Sequence, residues 1–85
     1  MNSRMNCRLN ERASTVLRFI RDYQQGHGYA PTLREIMTAC AISSTSVTAA
    51  EMRRLRRGGF IEYDPIRART VRLTEKGVGA VEHGR

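Results

Sequence analysis

Arg53, Arg54, Arg56 and Arg57 crowd one short stretch of this chain, and Arg67, Arg69 and Arg72 follow closely. Only Glu62 and Asp64 oppose them, so residues 53 to 72 hold an excess of five positive charges out of a net +7 for all 85 residues. A guanidinium is a planar fork of donors that meets two phosphate oxygens, or the paired acceptors of a guanine edge, in a single approach. Of 15 basic residues, Lys76 is the only lysine, which favours a polyanion of regular geometry, double-stranded nucleic acid, over a merely anionic surface. Just ahead of the arginines stand Ser43, Ser44, Thr45 and Ser46, then Val47, Ala49 and Ala50. Hydroxyls can meet base edges or phosphates, and small side chains let a helix backbone come close to the floor of the major groove. An arginine run alone describes any solvated helix face, and Glu51 or Glu62 could pair with it locally. Its position between a hydroxyl cap and a basic hairpin is what points to a duplex.

Other chemistries find little support. No nucleophile has a base nearby, and no glycine-rich phosphate loop follows a strand, so no enzyme, cofactor or small-molecule substrate is expected. A domain this small buries only about 60% of its unfolded surface, which leaves little room for a deep substrate pocket. A zinc site would need Cys7, Cys40, His27 and His83 to converge from distant points without ligand spacing, so no metal is expected. Cys40, beside Met37, Ala41 and Ile42, reads as a small core hydrophobe. His27 falls in an expected loop and His83 in an expected tail. No apolar run suits a membrane span or a signal peptide, so the expected location is cytoplasmic, on the nucleoid through DNA.

The elements that must position these residues follow from periodicity and caps. Residues 1–8 (MNSRMNCR) lack periodicity and are expected as a flexible arm. Leu9, Ala13, Val16, Leu17, Ile20 and Tyr23 recur at helical spacing, with Asn10 a candidate cap, which predicts a helix over residues 11–25 ending before Gly26 and Gly28. Thr32-Leu33-Arg34-Glu35 has the form of a capping box, so a second helix starts at Leu33, with Leu33, Ile36, Met37 and Cys40 as its apolar side, and ends near Ala41. A third helix over 45–57 turns Thr48, Met52 and Leu55 inward, and Gly58-Gly59 ends it with one glycine left-handed. Thr48 is affordable inside only if its hydroxyl bonds back to a helical carbonyl. Phe60–Tyr63 and Thr70–Leu73, joined through Asp64-Pro65, read as one hairpin with Arg67 and Arg69 at its tip. The last residues, Thr74 to Arg85, contain Gly77, Gly79 and Gly84 and read as a short frayed helix or no structure. The fold class expected is mainly α with a small β-hairpin, a winged helix-turn-helix of three helices plus a wing. Its domain spans 9–76, with an arm at 1–8 and a tail at 77–85.

Gly28-Tyr29-Ala30-Pro31-Thr32-Leu33-Arg34-Glu35-Ile36, Ser43–Val47, Leu55–Glu62 and Arg69–Thr74 together resemble the N-terminal DNA-binding domain of LexA-type repressors. The likeness covers residues 9 to 76 in order. It implies a transcriptional regulator that binds double-stranded DNA in a sequence-specific way, with the helix at 45–57 in the major groove and the hairpin at 60–73 as a wing on the backbone. It assigns base contact to Ser44, Ser46, Val47, Ala49 and Ala50. Backbone contact falls to Thr32, Arg34, Arg53, Arg54, Arg57, Arg67 and Arg69. Members of that family often carry larger polar residues at the positions of Ala49 and Ala50, where alanine offers only a methyl contact. The family's peptidase domain, with its serine and lysine pair, is not expected here, so self-cleavage is not expected either. A homodimer would then form on DNA through some other surface. The alternative reading is a protein-interaction module that docks a winged-helix surface on a host or regulatory protein, since a fold alone does not choose its partner.

Overall fold

The computed structural model describes residues 10–83, so the expected arm at 1–8, with Cys7, and the last two residues of the expected tail lie outside the described residues. Each helix starts where a polar side chain can take up an amide that the first turn leaves unpaired. Asn10 accepts from the Ala13 N–H at 2.7 Å and opens α1, Glu11–His27. Thr32 and Glu35 form the full reciprocal capping box at the head of α2, Leu33–Ala39. Ser44 accepts from the Val47 N–H at 3.3 Å at the head of α3, Thr45–Arg57. The third helix has the bounds its caps predict. The first runs two residues further than its glycines suggest, through Gly26 to His27, because the His27 ring stacks on Tyr23 at 3.9 Å and Gly28 supplies the left-handed cap at φ 82°.

Two helix ends share one geometry. After α2, the Ile42 N–H reaches back to the Met37 carbonyl and the Ala41 N–H to Thr38. After α3, the Phe60 N–H reaches Leu55 and the Gly59 N–H reaches Arg56. Both are Schellman motifs, which need a left-handed residue just past the cap. Gly59 fills that place at φ 85°, whereas the first motif uses Ala41 at φ 57°. The chain then enters β1, Ile61–Glu62, which pairs antiparallel with β2, Arg72–Leu73, in the register Ile61 with Leu73 and Glu62 with Arg72.

The core is built on α1. Val16, Leu17 and Ile20 are fully buried and meet Ile36 of α2, Ile42 of the turn, Met52 and Leu55 of α3, and Phe60, Ile61 and Val71 of the hairpin. Thr48 is also fully buried, and its hydroxyl donates to the Ser44 carbonyl at 3.0 Å, the back-bond that makes a threonine tolerable inside. Leu33, counted with the apolar side of α2, is instead exposed. Helix, turn, helix, then hairpin make this a winged helix-turn-helix.

The C-terminal end, expected as a frayed helix or no structure, is helical. Residues Glu75–His83 form α4, capped by the Thr74 hydroxyl, which accepts from the Gly77 N–H at 3.2 Å. The helix lies against α1 and β2, with Ala80 and Val81 packed on the core. Gly77 is what permits the seat, because a Cβ there would stand 2.1 Å from the Phe60 carbonyl oxygen. A residue that looks like a breaker in sequence is a close contact in space.

Candidate nucleic-acid interface

The apolar stripe Thr48, Met52, Leu55 fixes how α3 is rotated, and rotation decides which other residues face out. Ser46, Ala50, Arg53, Arg54 and Arg57 are all exposed, spaced three or four apart, and so lie on one face. Ser44, Val47 and Ala49, expected with Ser46 and Ala50 as base contacts, are half-buried. Ser44 is spent partly on its cap, and Val47 leans on the core. Ala49 lies beside Arg53 and Arg56 on the side that turns towards the wing. The expected base contacts are therefore split, with Ser46 and Ala50 outward and Ala49 in a groove.

That groove, of about 540 Å³, runs between α3 and the wing and reaches Pro31–Arg34 at the head of α2. Its far wall is the loop Tyr63–Thr70. Asp64 organises the loop: its carboxylate accepts from the Ile66 N–H at 2.9 Å, its carbonyl from the Arg67 N–H at 3.2 Å, and its own N–H donates to the Thr70 hydroxyl at 2.9 Å. Arg67 and Ile66 are thereby held at the tip, Ile66 with 88% of its surface in solvent. Arg56 is turned to the same groove, with its guanidinium 5.0 Å from the centre of the Tyr63 ring. In sequence it is one charge in a run; only its stacking partner, seven residues on and across the α3 terminus, shows its direction.

Arg69 stands apart from the expected phosphate contacts. Its guanidinium makes a two-pronged bond with Glu35, 3.1 Å on each side, and donates to the Ala30 carbonyl at 3.0 Å and to the Tyr23 hydroxyl at 3.3 Å. It also covers the Tyr29 ring at 5.1 Å. Accepting the Thr32 N–H and the Arg69 guanidinium lowers the Glu35 carboxyl from 4.5 to about 2. Those bonds from Tyr23 and Glu35 raise the Arg69 guanidinium further above its ordinary value. Arg72 is likewise taken, by Glu62 directly across the hairpin at 2.7 Å, though both side chains are well exposed and such a pair contributes about 0–1 kcal/mol. Among the described residues Arg34, Arg53, Arg54, Arg56, Arg57 and Arg67 are in no ion pair, and all are exposed.

Away from this surface, burial raises the Cys40 thiol, as suits a core-edge hydrophobe. Among the described residues no helix is long and apolar enough to cross a membrane.

The family model for the LexA DNA binding domain matches residues 6–70. The LexA repressor of Oenococcus oeni is 42% identical over 66 residues, 78% of this chain and 31% of that protein. That of Clostridium kluyveri is 39% identical over 72 residues, 85% of this chain and 36% of its own length. That of Lacticaseibacillus casei is 38% identical over 77 residues, covering 87% and 37% respectively. The chain thus spans about a third of the length of these curated relatives.

Proposed function

The chain belongs to the LexA DNA binding domain family, and we propose that it is a sequence-specific, double-stranded DNA-binding transcriptional regulator, a repressor like the relatives it matches. The observation that carries this reading is the exposed face of α3, on which Ser46 and Ala50 lead into Arg53, Arg54 and Arg57 with no acidic residue among them. α3 enters the major groove with Ser46 and Ala50 at the base edges and Ala49 beside them, while Ser44 and Val47 seat the start of the helix. Thr32, Arg34, Arg53, Arg54, Arg57 and Arg67 engage phosphates, as does Arg56 from inside the groove. The wing lies on the backbone, where Ile66 can rest on a sugar edge. Two copies on a two-fold site give a homodimer on DNA.

The test is retention of a randomised duplex pool at several salt concentrations, followed by sequencing. Six unpaired arginines give a slope of log affinity against log salt of about −5 for each bound chain. An enriched motif is expected, two-fold symmetric if two copies bind. Arg54→Ala weakens all duplexes alike, whereas a change at Ser46 alters the motif. A flat salt response, or no retention at any salt, overturns the reading and leaves docking on a protein as the use of this surface.

A further inference from the structure

The two walls of the groove come from distant parts of the chain. One carries Thr32 and Arg34 at the head of α2, the other Arg67 at the tip of the wing. The sheet of the hairpin is two strands of two residues each, with an Asp64–Thr70 bond beyond it, so the loop has little sheet to fix its angle against the helices. One carboxylate bonds to both sides. Glu35 Oε1 accepts the Thr32 N–H at 2.8 Å, closing the α2 capping box, and the same carboxylate takes both prongs of Arg69. Arg69 sits at φ 60°, a left-handed backbone that an arginine adopts only where its surroundings impose it. Those surroundings are Glu35, the Ala30 carbonyl and the Tyr23 hydroxyl, all on the helical side of the groove. Backbone strain and side-chain bonds therefore meet at the point where the wing returns to the body.

We propose that Arg69 is a positioning residue for DNA binding, a latch that closes on Glu35 and holds the wing at a fixed distance from the head of α2, so that both walls of the groove meet the duplex together. This rests on the reading of the groove as a phosphate-binding surface. Arg69 touches no DNA in this account; it acts through Arg67.

The latch and a direct phosphate contact differ in sign at Glu35. If Arg69 bound phosphate itself, Glu35 would compete with the duplex, and Glu35→Gln would tighten binding by removing a negative charge. If Arg69 is a latch, the same change weakens binding, because the amide leaves one prong unanswered. Glutamine still serves a capping box, so α2 keeps its start. The experiment compares the wild-type chain with Glu35→Gln, Arg67→Ala, Arg69→Ala and the Arg67→Ala/Arg69→Ala pair on the duplex recovered by selection. Thermal melts confirm that each variant is folded. Glu35→Gln is expected to bind more weakly with a salt slope shallower by about 0.9, the loss of one phosphate contact. The double variant is expected to be no weaker than Arg69→Ala. Unchanged or tighter binding by Glu35→Gln, or additive losses in the double variant, overturns the latch. A second readout does not involve DNA: exchange of the Asp64 and Arg67 amides should quicken in Glu35→Gln. If the wild type shows no salt-dependent binding, the functional reading fails, and this exchange alone decides whether the latch exists.

Discussion

Gly77 and Gly79 lie two residues apart in α4, and replacing each by alanine should move stability in opposite directions. In any helix the exchange removes a flexible residue and gains about 1 kcal/mol. Around Gly79 nothing lies within 4 Å of the added carbon, so that gain should appear whole. In a domain of this size it corresponds to a rise in Tm of about 4–8 °C. At Gly77 the carbon would stand 2.1 Å from the Phe60 carbonyl oxygen, 3.1 Å from the Phe60 carbonyl carbon and 3.2 Å from Leu73 Cγ. The first two are backbone, and the oxygen already accepts the Thr74 N–H at 3.0 Å, so it cannot swing away cheaply. The helix must lift by roughly 1 Å to restore ordinary contact, which also loosens Ala80 and Val81 from the core. Overpacking against fixed backbone falls at the upper end of about 1–3 kcal/mol, so after the helical gain a net loss of up to about 2 kcal/mol is expected. Urea unfolding followed by circular dichroism separates the two, since with m near 1–2 kcal/mol/M the midpoints should fall about 1 M or more apart. If Gly77→Ala raised the midpoint as much as Gly79→Ala, α4 would not be seated on Phe60, and the account of the C-terminal end would be wrong.

Ala41→Gly should stabilise the fold by about 0.5–1 kcal/mol, because the left-handed turn at φ 57° costs an alanine more than glycine's looser unfolded chain gives back; an unchanged or lower urea midpoint would count against it. Acid should erase the contribution of the Glu35 carboxylate. Its folded pKa, about 2, lies below the ordinary 4.5, so the stabilisation is complete above the higher value and is lost as pH falls towards the lower. The stability gap between wild type and Glu35→Gln should accordingly narrow over that window in melts taken at several pH values, and a constant gap would refute it. Glu51 is only 7% exposed and its Oε1 has no partner, so Glu51→Gln, which lightens the burden of desolvation, should raise stability by about 1 kcal/mol, whereas a fall would reveal an unrecognised partner.

Much of the framework is legible in the chain because its signals are local. The Thr32–Glu35 box and the Ser44 cap start α2 and α3, and Gly58-Gly59 ends α3, through bonds that span three to five residues. Periodicity placed Thr48, Met52 and Leu55 inward, and rotation of α3 followed. What sequence concealed depends on partners far along the chain. α4 has two glycines and few large apolar residues, so propensity disfavours it; its stability comes from α1 and from the close approach to Phe60. Glu51 falls on the inward side of α3 by geometry, yet its charge argues for solvent. The split of the expected base contacts arises likewise, because Val47 and Ala49 are half-covered by neighbours that no spacing rule names.

The arginines show why composition overstates the electrostatic footprint. Residues 53 to 72 contain seven of them, but Arg69 is matched by Glu35 and Arg72 by Glu62. A guanidinium already facing a carboxylate releases few counterions from a phosphate, because binding DNA would first have to break the pair. Counted by charge, those seven and Arg34 would displace ions from eight phosphates, a slope near −7; counted by partners, six remain and the slope is near −5. The difference also has a place in the fold. Of these eight, the two paired arginines lie on the return strand or at its entrance, Arg69 tying it to α2 and Arg72 to β1, while the other six lie on α3, at the head of α2 and at the wing tip. The same residue type thus does two jobs, and which job falls to each is decided by whether a glutamate stands within reach. The two glutamates hold the wing, and under the proposed function the six arginines without one are the ones available to the duplex.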